Sequence, residues 1–330
     1  MSTLSDITVD LAASPRNRWS FADAHVRAAS ELLAVYNKDL GVDEETMAYV
    51  ASLASAILPV GIAEELGAVA SSLGATFPQA LLGNLHYDLL KVVLGCTAFA
   101  VDTPDGPVHA RNLDWWTSAR ALNDGTAVTH FVNGPCGEFL TVGWPGFVGA
   151  FSGVAKGRFS VTLNAVLSDE PGQIALPVVF LIRQVLEEAG NFDEAVSRLS
   201  ETTIATDCLL LVTGTVPGQM VVIERTPTKF AHRTPTTREP LSVTNDYHLI
   251  DADSGEPANE LMRTSCRRYK RITELLVDEP PLTLERCIDH LSDDRVMMGI
   301  TVQQMAFRAS SGEYLVRIPQ LHEREPSTPI

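Results

Sequence analysis

At 330 residues, with 45% apolar and 20% charged side chains, the chain has the composition of a folded globular protein, long enough for one large domain or two average ones. Its formal charge of −16 argues against nucleic acid as a partner, since phosphate contacts need a basic face. The five cysteines (Cys96, Cys136, Cys208, Cys266, Cys287) are odd in number and form no CxxC pair, which argues against a disulfide framework and a structural zinc site.

The N-terminus shows no basic stretch followed by an apolar run, so no secretory leader is expected. No uncharged apolar run reaches the ~18 residues of a membrane helix; no integral membrane segment and a cytoplasmic location are expected. A short strand is predicted at Ile7–Leu11. From about Phe21 to Leu94 the pattern is helical, with breaks at Gly41-Val-Asp43, Pro59 and Leu73–Thr76. The last of these helices starts near Phe77-Pro78, carries Ala80, Leu81, Leu85, Leu89 and Val92 on one face, and is stopped by Gly95.

A hairpin follows, with Pro104-Asp105-Gly106 as a three-residue loop between Thr103 and Pro107, a register that sets Cys96 opposite Asp114. Strands are predicted at Val128–Val132 and Glu138–Val142, and Trp144–Gly153 is too rich in glycine for either regular state. Arg158–Asn164 alternates as a strand, and helices follow at about Ile174–Ala189 and Phe192–Leu199, the second capped by Asn191. Further strands are expected at Asp207–Val212, Gln219–Glu224 and Leu241–Thr244. A helix at about Asn259–Leu276, another after Leu282, closing strands at Gly299–Arg308 and Tyr314–Ile318, and a frayed tail at Glu323–Ile330 complete the chain. Grouped strands flanked by helices indicate an α/β layered sandwich with residues 1–95 packed around it.

There is no G-x-S-x-G elbow, no phosphate loop, no HExxH and no dinucleotide fingerprint, and the eight histidines are scattered without ligand spacing. The hairpin brings a thiol, a guanidinium (Arg111) and a carboxylate together, but a cysteine nucleophile needs a base. If Cys96 were itself an N-terminal residue, its α-amine (pKa near 7.7–8.0) could take the thiol proton, with Arg111 favouring the thiolate and Asp114 holding the amine. That requires cutting Gly95–Cys96, which the thiol could do by attacking the preceding carbonyl. On the hairpin alone, a buried core cysteine is the simpler explanation of the pattern. Arg111 and Asp114 are three apart, so both reach Cys96 only if the second strand ends or bulges at Asn112-Leu113.

Cys96-Thr, an alternating strand, then His109-Ala-Arg111-Asn-Leu-Asp114 resembles the Cys-Thr…Gly-Arg-Asn-x-Asp pattern of the N-terminal-nucleophile cysteine amidases that include acid ceramidase, N-acylethanolamine acid amidase and bile salt hydrolase. Ile7–Leu11 with Arg18-Trp19, Leu82–Leu90, Trp144–Gly153 and Val161–Asn164 are similar to further family segments, in order and over nearly the whole length. The resemblance implies a four-layer αββα sandwich in which 1–95 becomes an N-terminal helical α-segment and 96–330 the catalytic β-segment, the two remaining associated as one integrated domain. It implies Cys96 as nucleophile and, with Gly95, as cleavage site, and Arg111 and Asp114 as the residues that polarise and orient it. Asn245 is implied as an oxyanion donor and Asn164 as a weaker candidate for the same pocket. Arg268 is implied as a second site arginine, in a cluster with Arg263 and Arg267. Trp115, Trp116, Trp144 and Phe147 could line an acyl pocket.

The expected activity is hydrolysis of a linear non-peptide amide, a small-molecule substrate, through a Cys96 thioester, with no cofactor and no metal. Acyl transfer to an amine through the same intermediate, or a non-catalytic binding role, are the alternatives. A homo-oligomer is compatible with the sequence.

Overall fold

Two β-sheets lie face to face between layers of helix, and the strands predicted from alternation form most of both. The structure is a computed structural model that describes residues 4–41, 43–86, 88, 94–115, 121–237, 239–251 and 263–319. The N-terminal part runs β1 (Ser5–Asp10), α1 (Asp23–Leu40), α2 (Glu44–Ile57), α3 (Val60–Ser72) and α4 (Phe77–Asn84). The hairpin β2 (Leu94–Val101) and β3 (Val108–Trp115) comes next, then α5 (Ala121–Asp124), β4 (Ala127–Val132), β5 (Phe139–Gly143), β6 (Ser152–Ala155) and β7 (Phe159–Asn164). After α6 (Val178–Glu188) and α7 (Phe192–Glu201) come β8 (Cys208–Thr213), β9 (Met220–Arg225), β10 (Phe230–Arg233) and β11 (Leu241–Val243). The chain closes with α8 (Ser265–Asp278), α9 (Leu284–Leu291), β12 (Thr301–Arg308) and β13 (Glu313–Arg317).

One sheet has eight strands in the order β1-β4-β5-β6-β7-β8-β9-β10, and the other five in the order β11-β2-β3-β12-β13. β1 lies parallel to β4, and the other ladders are antiparallel. Strand alternation assigns the layers. Ala98 and Ala100 of β2 meet Leu209, Leu211 and Val222 of the larger sheet. Phe99 and Val101, together with Val108 and Ala110 of β3, pack outward on Ile272, Leu276, Ile288 and Leu291 of α8 and α9. On the other side Val161, Leu210 and Val212 share a core with Val179, Ile182 and Leu186 of α6 and with the N-terminal helices. This is the αββα order expected.

Local signals set the element ends. Thr76 and Gln79 form a reciprocal capping box at the start of α4, where Pro78 needs no N–H partner. Asn191 and Thr283 cap α7 and α9 through the backbone N–H of Glu194 and Arg286. The helices before the hairpin connect to the larger sheet through a buried ion network. Glu65 on α3, 1% exposed, accepts from Arg18 (2.6 Å) and from the Trp19 indole (3.0 Å), and it lies 3.9 Å from Arg183 of α6. Arg183 in turn pairs with Glu187 and lies 4.1 Å over the Phe131 ring.

Several expectations are corrected. The hairpin register is Val101↔Val108 and Cys96↔Leu113, so Asp114 stands opposite Gly95 rather than Cys96. Pro107 has no N–H to give a rung with Thr103, whose hydroxyl instead closes on Gly106 O at 2.6 Å. The loop is therefore longer than three residues, with Gly106 at φ +96°. Gly95 does not stop a helix before Cys96, because it lies inside β2. β3 runs without a bulge, and the irregularity falls on its partner β12, between Thr301 and Gln303. Ser152 and Gly153 begin a strand, and α6 starts at Val178, after Pro177, rather than at Ile174. β10, which sequence alternation missed, is a partly exposed edge with little apolar pattern. Leu89, Val92, Trp116, 259–262 and the 323–330 tail lie outside the described residues.

Candidate active site

Cys96 is 1% exposed, and its sulfur, nitrogen and carbonyl oxygen each have a separate partner. Arg111 Nη2 donates to Sγ at 3.0 Å. The Cys96 N–H donates to Asn245 Oδ1 at 3.2 Å. Arg268 Nη1 donates to the Cys96 carbonyl at 2.6 Å and to Thr97 Oγ1 at 2.9 Å. The Sγ itself lies 3.7 Å from Leu163 O.

The two arginines approach from opposite faces of β2. Arg111 stands on the face of β3 turned to the larger sheet, where Nη1 also donates to Phe151 O (3.1 Å) and Ser152 Oγ (2.5 Å). Arg268 comes from α8 on the outer face, and its Nη2 donates to Asn245 Oδ1 at 2.7 Å. Arg268 is 2% exposed, whereas Arg263 and Arg267 are exposed, so one arginine of the cluster reaches Cys96. Helical spacing turns only that residue inward. Burial lowers the Arg268 guanidinium pKa, while Asp114 and the Cys96 thiol oppose the shift.

Asp114 lies on the outer face of β3, away from the Cys96 sulfur; the condition that both side chains reach Cys96 is not met. Thr301 Oγ1 donates to its Oδ1 at 2.5 Å, and Oδ2 has no hydrogen-bond partner among the described residues. Burial pushes its carboxyl above the usual range, against the pull of Arg268, the Thr301 hydroxyl and Arg111.

Asn245 is held tightly: its N–H donates to Ser265 Oγ (2.8 Å) and its Nδ2 to Ala165 O (2.7 Å). Among the described residues one Nδ2 hydrogen is left over. Asn164 uses its Nδ2 on Val243 O (3.2 Å) and Thr244 O (3.0 Å), so it supports the segment that carries Asn245. Trp115 and Trp144, each 3% exposed, sit in an aromatic cluster with Phe147, Phe151, Tyr36 and His86. Trp144 donates to Leu122 O at 2.7 Å. Beside it, between α1, α4 and 144–147, is a cavity of about 20 Å³, well below the ~300 Å³ of a small-molecule site. In the intact chain these tryptophans are core.

Sequence reasoning missed Ser152, Ser265 and Thr301, which hold Arg111, Asn245 and Asp114. A lone hydroxyl in a buried strand gives no pattern to read. Among the described residues no three His, Cys, Asp or Glu side chains are grouped to hold a metal ion, and no helix is long and apolar enough to cross a membrane.

The chain is similar to the N-acylethanolamine-hydrolyzing acid amidase of Caenorhabditis elegans, with 28% identity over 212 residues, 56% of this chain and 59% of that protein. It is also similar to the acid ceramidase of Balaenoptera acutorostrata scammoni, with 24% identity over 66% of this chain and 62% of that protein. The chain thus spans about three fifths of the length of these two relatives. With the Cavia porcellus N-acylethanolamine-hydrolyzing acid amidase, 24% identity extends over 96% of this chain and 90% of that protein. The solved structure of the C. elegans ortholog superposes with a TM-score of 0.53 at 21% identity, covering 65% of this chain and 92% of that one, and supports the common fold. A sequence model of one family matches residues 101–299, more than half of the chain. The chain belongs to the family described as acyl-coenzyme A:6-aminopenicillanic acid acyl-transferase.

Proposed function

We propose that the protein is a self-processing cysteine amidase that hydrolyses a linear N-acyl amide through a Cys96 thioester. The observation that carries this is the separate hydrogen-bond partner on each of the sulfur, nitrogen and carbonyl oxygen of one buried cysteine.

In self-cleavage Sγ attacks the Gly95 carbonyl carbon, acyl transfers from nitrogen to sulfur, and water hydrolyses the thioester. The products are Met1–Gly95, ending in a carboxylate, and Cys96–Ile330, beginning with a free α-amine; the buried Glu65–Arg18–Arg183–Glu187 network would keep them associated. In turnover the α-amine takes the thiol proton, and Arg111 stabilises the thiolate. The thiolate adds to the substrate carbonyl, and the α-ammonium protonates the departing amine. Water then attacks the thioester and frees the acid.

Asn245 has two parts in this reading. Its Oδ1 holds the Cys96 nitrogen before and after cleavage, and its uncommitted Nδ2 hydrogen serves as the oxyanion donor. Arg268 fixes that amide and the Cys96 carbonyl, Asp114 balances its charge, and Asn164 holds the loop in place. Trp115 and Trp144 would border the acyl chain. Hydrolysis rather than transfer follows the relatives named as amidases and ceramidases, while transfer to an amine is favoured by the description of the matching family.

Intact-mass measurement should find the two pieces from the wild type and a single chain from Cys96→Ala. Screening fatty N-acyl amides and bile-salt-type conjugates, with and without an added amine, separates hydrolysis from transfer. Turnover undiminished in Cys96→Ala would end this reading.

A further inference from the structure

β3 turns a second polar side chain toward the larger sheet. His109 is fully buried and lies two residues before Arg111, so both leave the strand on the same side, about 7 Å apart along it. Its ring is bracketed by hydroxyls of β7: Nδ1 lies 2.9 Å from Ser160 Oγ and Nε2 lies 2.8 Å from Thr162 Oγ1. Ser160 continues to Thr213 Oγ1 on β8 at 2.7 Å. Arg111 makes the matching contact one strand over, on Ser152 of β6, and Ser152 is the ladder partner of Thr162. Two neighbouring side chains of β3 are therefore tied to two adjacent strands of the facing sheet.

Next to this polar stretch the sheets meet through Ala98, Ala100, Leu209, Leu211 and Val222, and apolar contact is non-directional. Hydrogen bonds fix distance and direction. The His109 ring is suited to that task and not to proton transfer. Burial, then the nearby Arg111 charge, pushes its pKa down to about 3, so it stays neutral. A neutral imidazole has one donor and one acceptor, and each hydroxyl can take either part, so both nitrogens are satisfied without charge.

We infer that His109 is a positioning residue for the reaction: by hydrogen bonding Ser160 and Thr162 it sets where β3 lies against the larger sheet and so holds the Arg111 guanidinium on the Cys96 sulfur. This rests on Cys96 being the nucleophile. The 3.0 Å contact from Arg111 to Sγ has little slack, since a charge-assisted hydrogen bond weakens steeply with misalignment. The charged groups around Cys96 are Arg111 from β3, Arg268 from α8 on the carbonyl side, Asp114 on the opposite face of β3, and, once the chain is processed, the α-amine of Cys96 itself. Of the side chains, Arg111 contacts Sγ, so a displaced β3 should weaken the contact that favours the thiolate and slow its reactions.

The test is the rate of peptide-resolved alkylation of Cys96 at fixed pH, with steady-state kinetics on the best amide found by the screen above. His109→Phe keeps a ring of similar shape without hydrogen bonds. It should slow alkylation about tenfold and lower kcat about tenfold, with KM within about twofold. His109→Gln, with a donor and an acceptor at its tip, should return both toward wild type. The double variant Ser160→Ala/Thr162→Ala removes the partners with the histidine in place and should shift both readouts in the same direction, and it decides the matter if His109→Phe does not fold. A wild-type alkylation rate and kcat in either folded variant overturns the inference. Turnover that survives in Cys96→Ala overturns the nucleophile assignment as well, which distinguishes the two failures.

Discussion

Cys96 sits among buried cations that would be costly without compensation. Arg111 is wholly buried and spreads its charge over a sulfur, a hydroxyl and a carbonyl. Arg268 is 2% exposed and spends its donors on Cys96 O, Thr97, Thr264 and Asn245. Arg268→Met would remove the donors to the Cys96 carbonyl and to Asn245 Oδ1 together. It should lower kcat about 10²-fold, the scale of a misplaced catalytic group. Arg267→Met, at an exposed position one residue away, should leave kcat within about twofold. Steady-state kinetics on the pair checks this, and equal damage from both would mean that general charge, not the specific contacts, is at work. The resemblance pointed to Arg268 but left the register open among three arginines, because a run of basic residues does not show which helical face is turned inward.

At the scale of elements, two helix starts were legible because their signals are local: the Phe77-Pro78 start of α4 and the Asn191 cap of α7. Register was less so. A hairpin is paired by its last rung, and Pro107 moved that rung by one residue, which exchanged the face carrying Asp114. β6 was hidden because glycine argues against strand, yet Gly153 is required there by packing. A Cβ at Gly153 would lie 2.6 Å from Leu186 Cδ1 and 2.8 Å from Leu140 O. Gly153→Ala should therefore push α6 off the sheet and cost about 1–3 kcal/mol. Equilibrium denaturation would measure this; an unchanged midpoint would show that α6 gives way without strain.

For the whole molecule, acid should be destabilising through two histidines buried in neutral form. Burial pushes His109 down to about 3 and His86 to about 4 from an unfolded value of 6.5. His86 packs on Tyr36 and Trp115 with no hydrogen-bond partner at either nitrogen among the described residues. The unfolded chain binds more protons than the native one between the folded and unfolded pKa values. The stabilising contribution is then complete above pH 6.5 and declines as pH falls toward 4 and 3. At pH 5 the loss is on the order of 2 kcal/mol per histidine. Asp114, with its pKa raised by burial, has the opposite sign and offsets part of this. Denaturation midpoints should fall from pH 7 to pH 5, and His86→Leu should flatten that slope. A slope identical to wild type would show that His86 protonates freely in the fold.

What the sequence determined by itself is what depends on neighbours along the chain: the helix starts marked by a cap or a proline, the strand alternation, the Cys96–Asp114 hairpin and the candidate residues on it. The layered architecture was also readable, since apolar periodicity says which elements must be covered on which side. Tertiary structure alone decided how the candidates meet. It placed Arg111 on the sulfur and Asp114 on the far face, and it selected Arg268 from three arginines. It also brought Asn245, 149 positions away, onto the Cys96 nitrogen. Those contacts join β2, β3, α8 and the end of β11, and no local signal states the distance between strands and helices that meet only through a shared core.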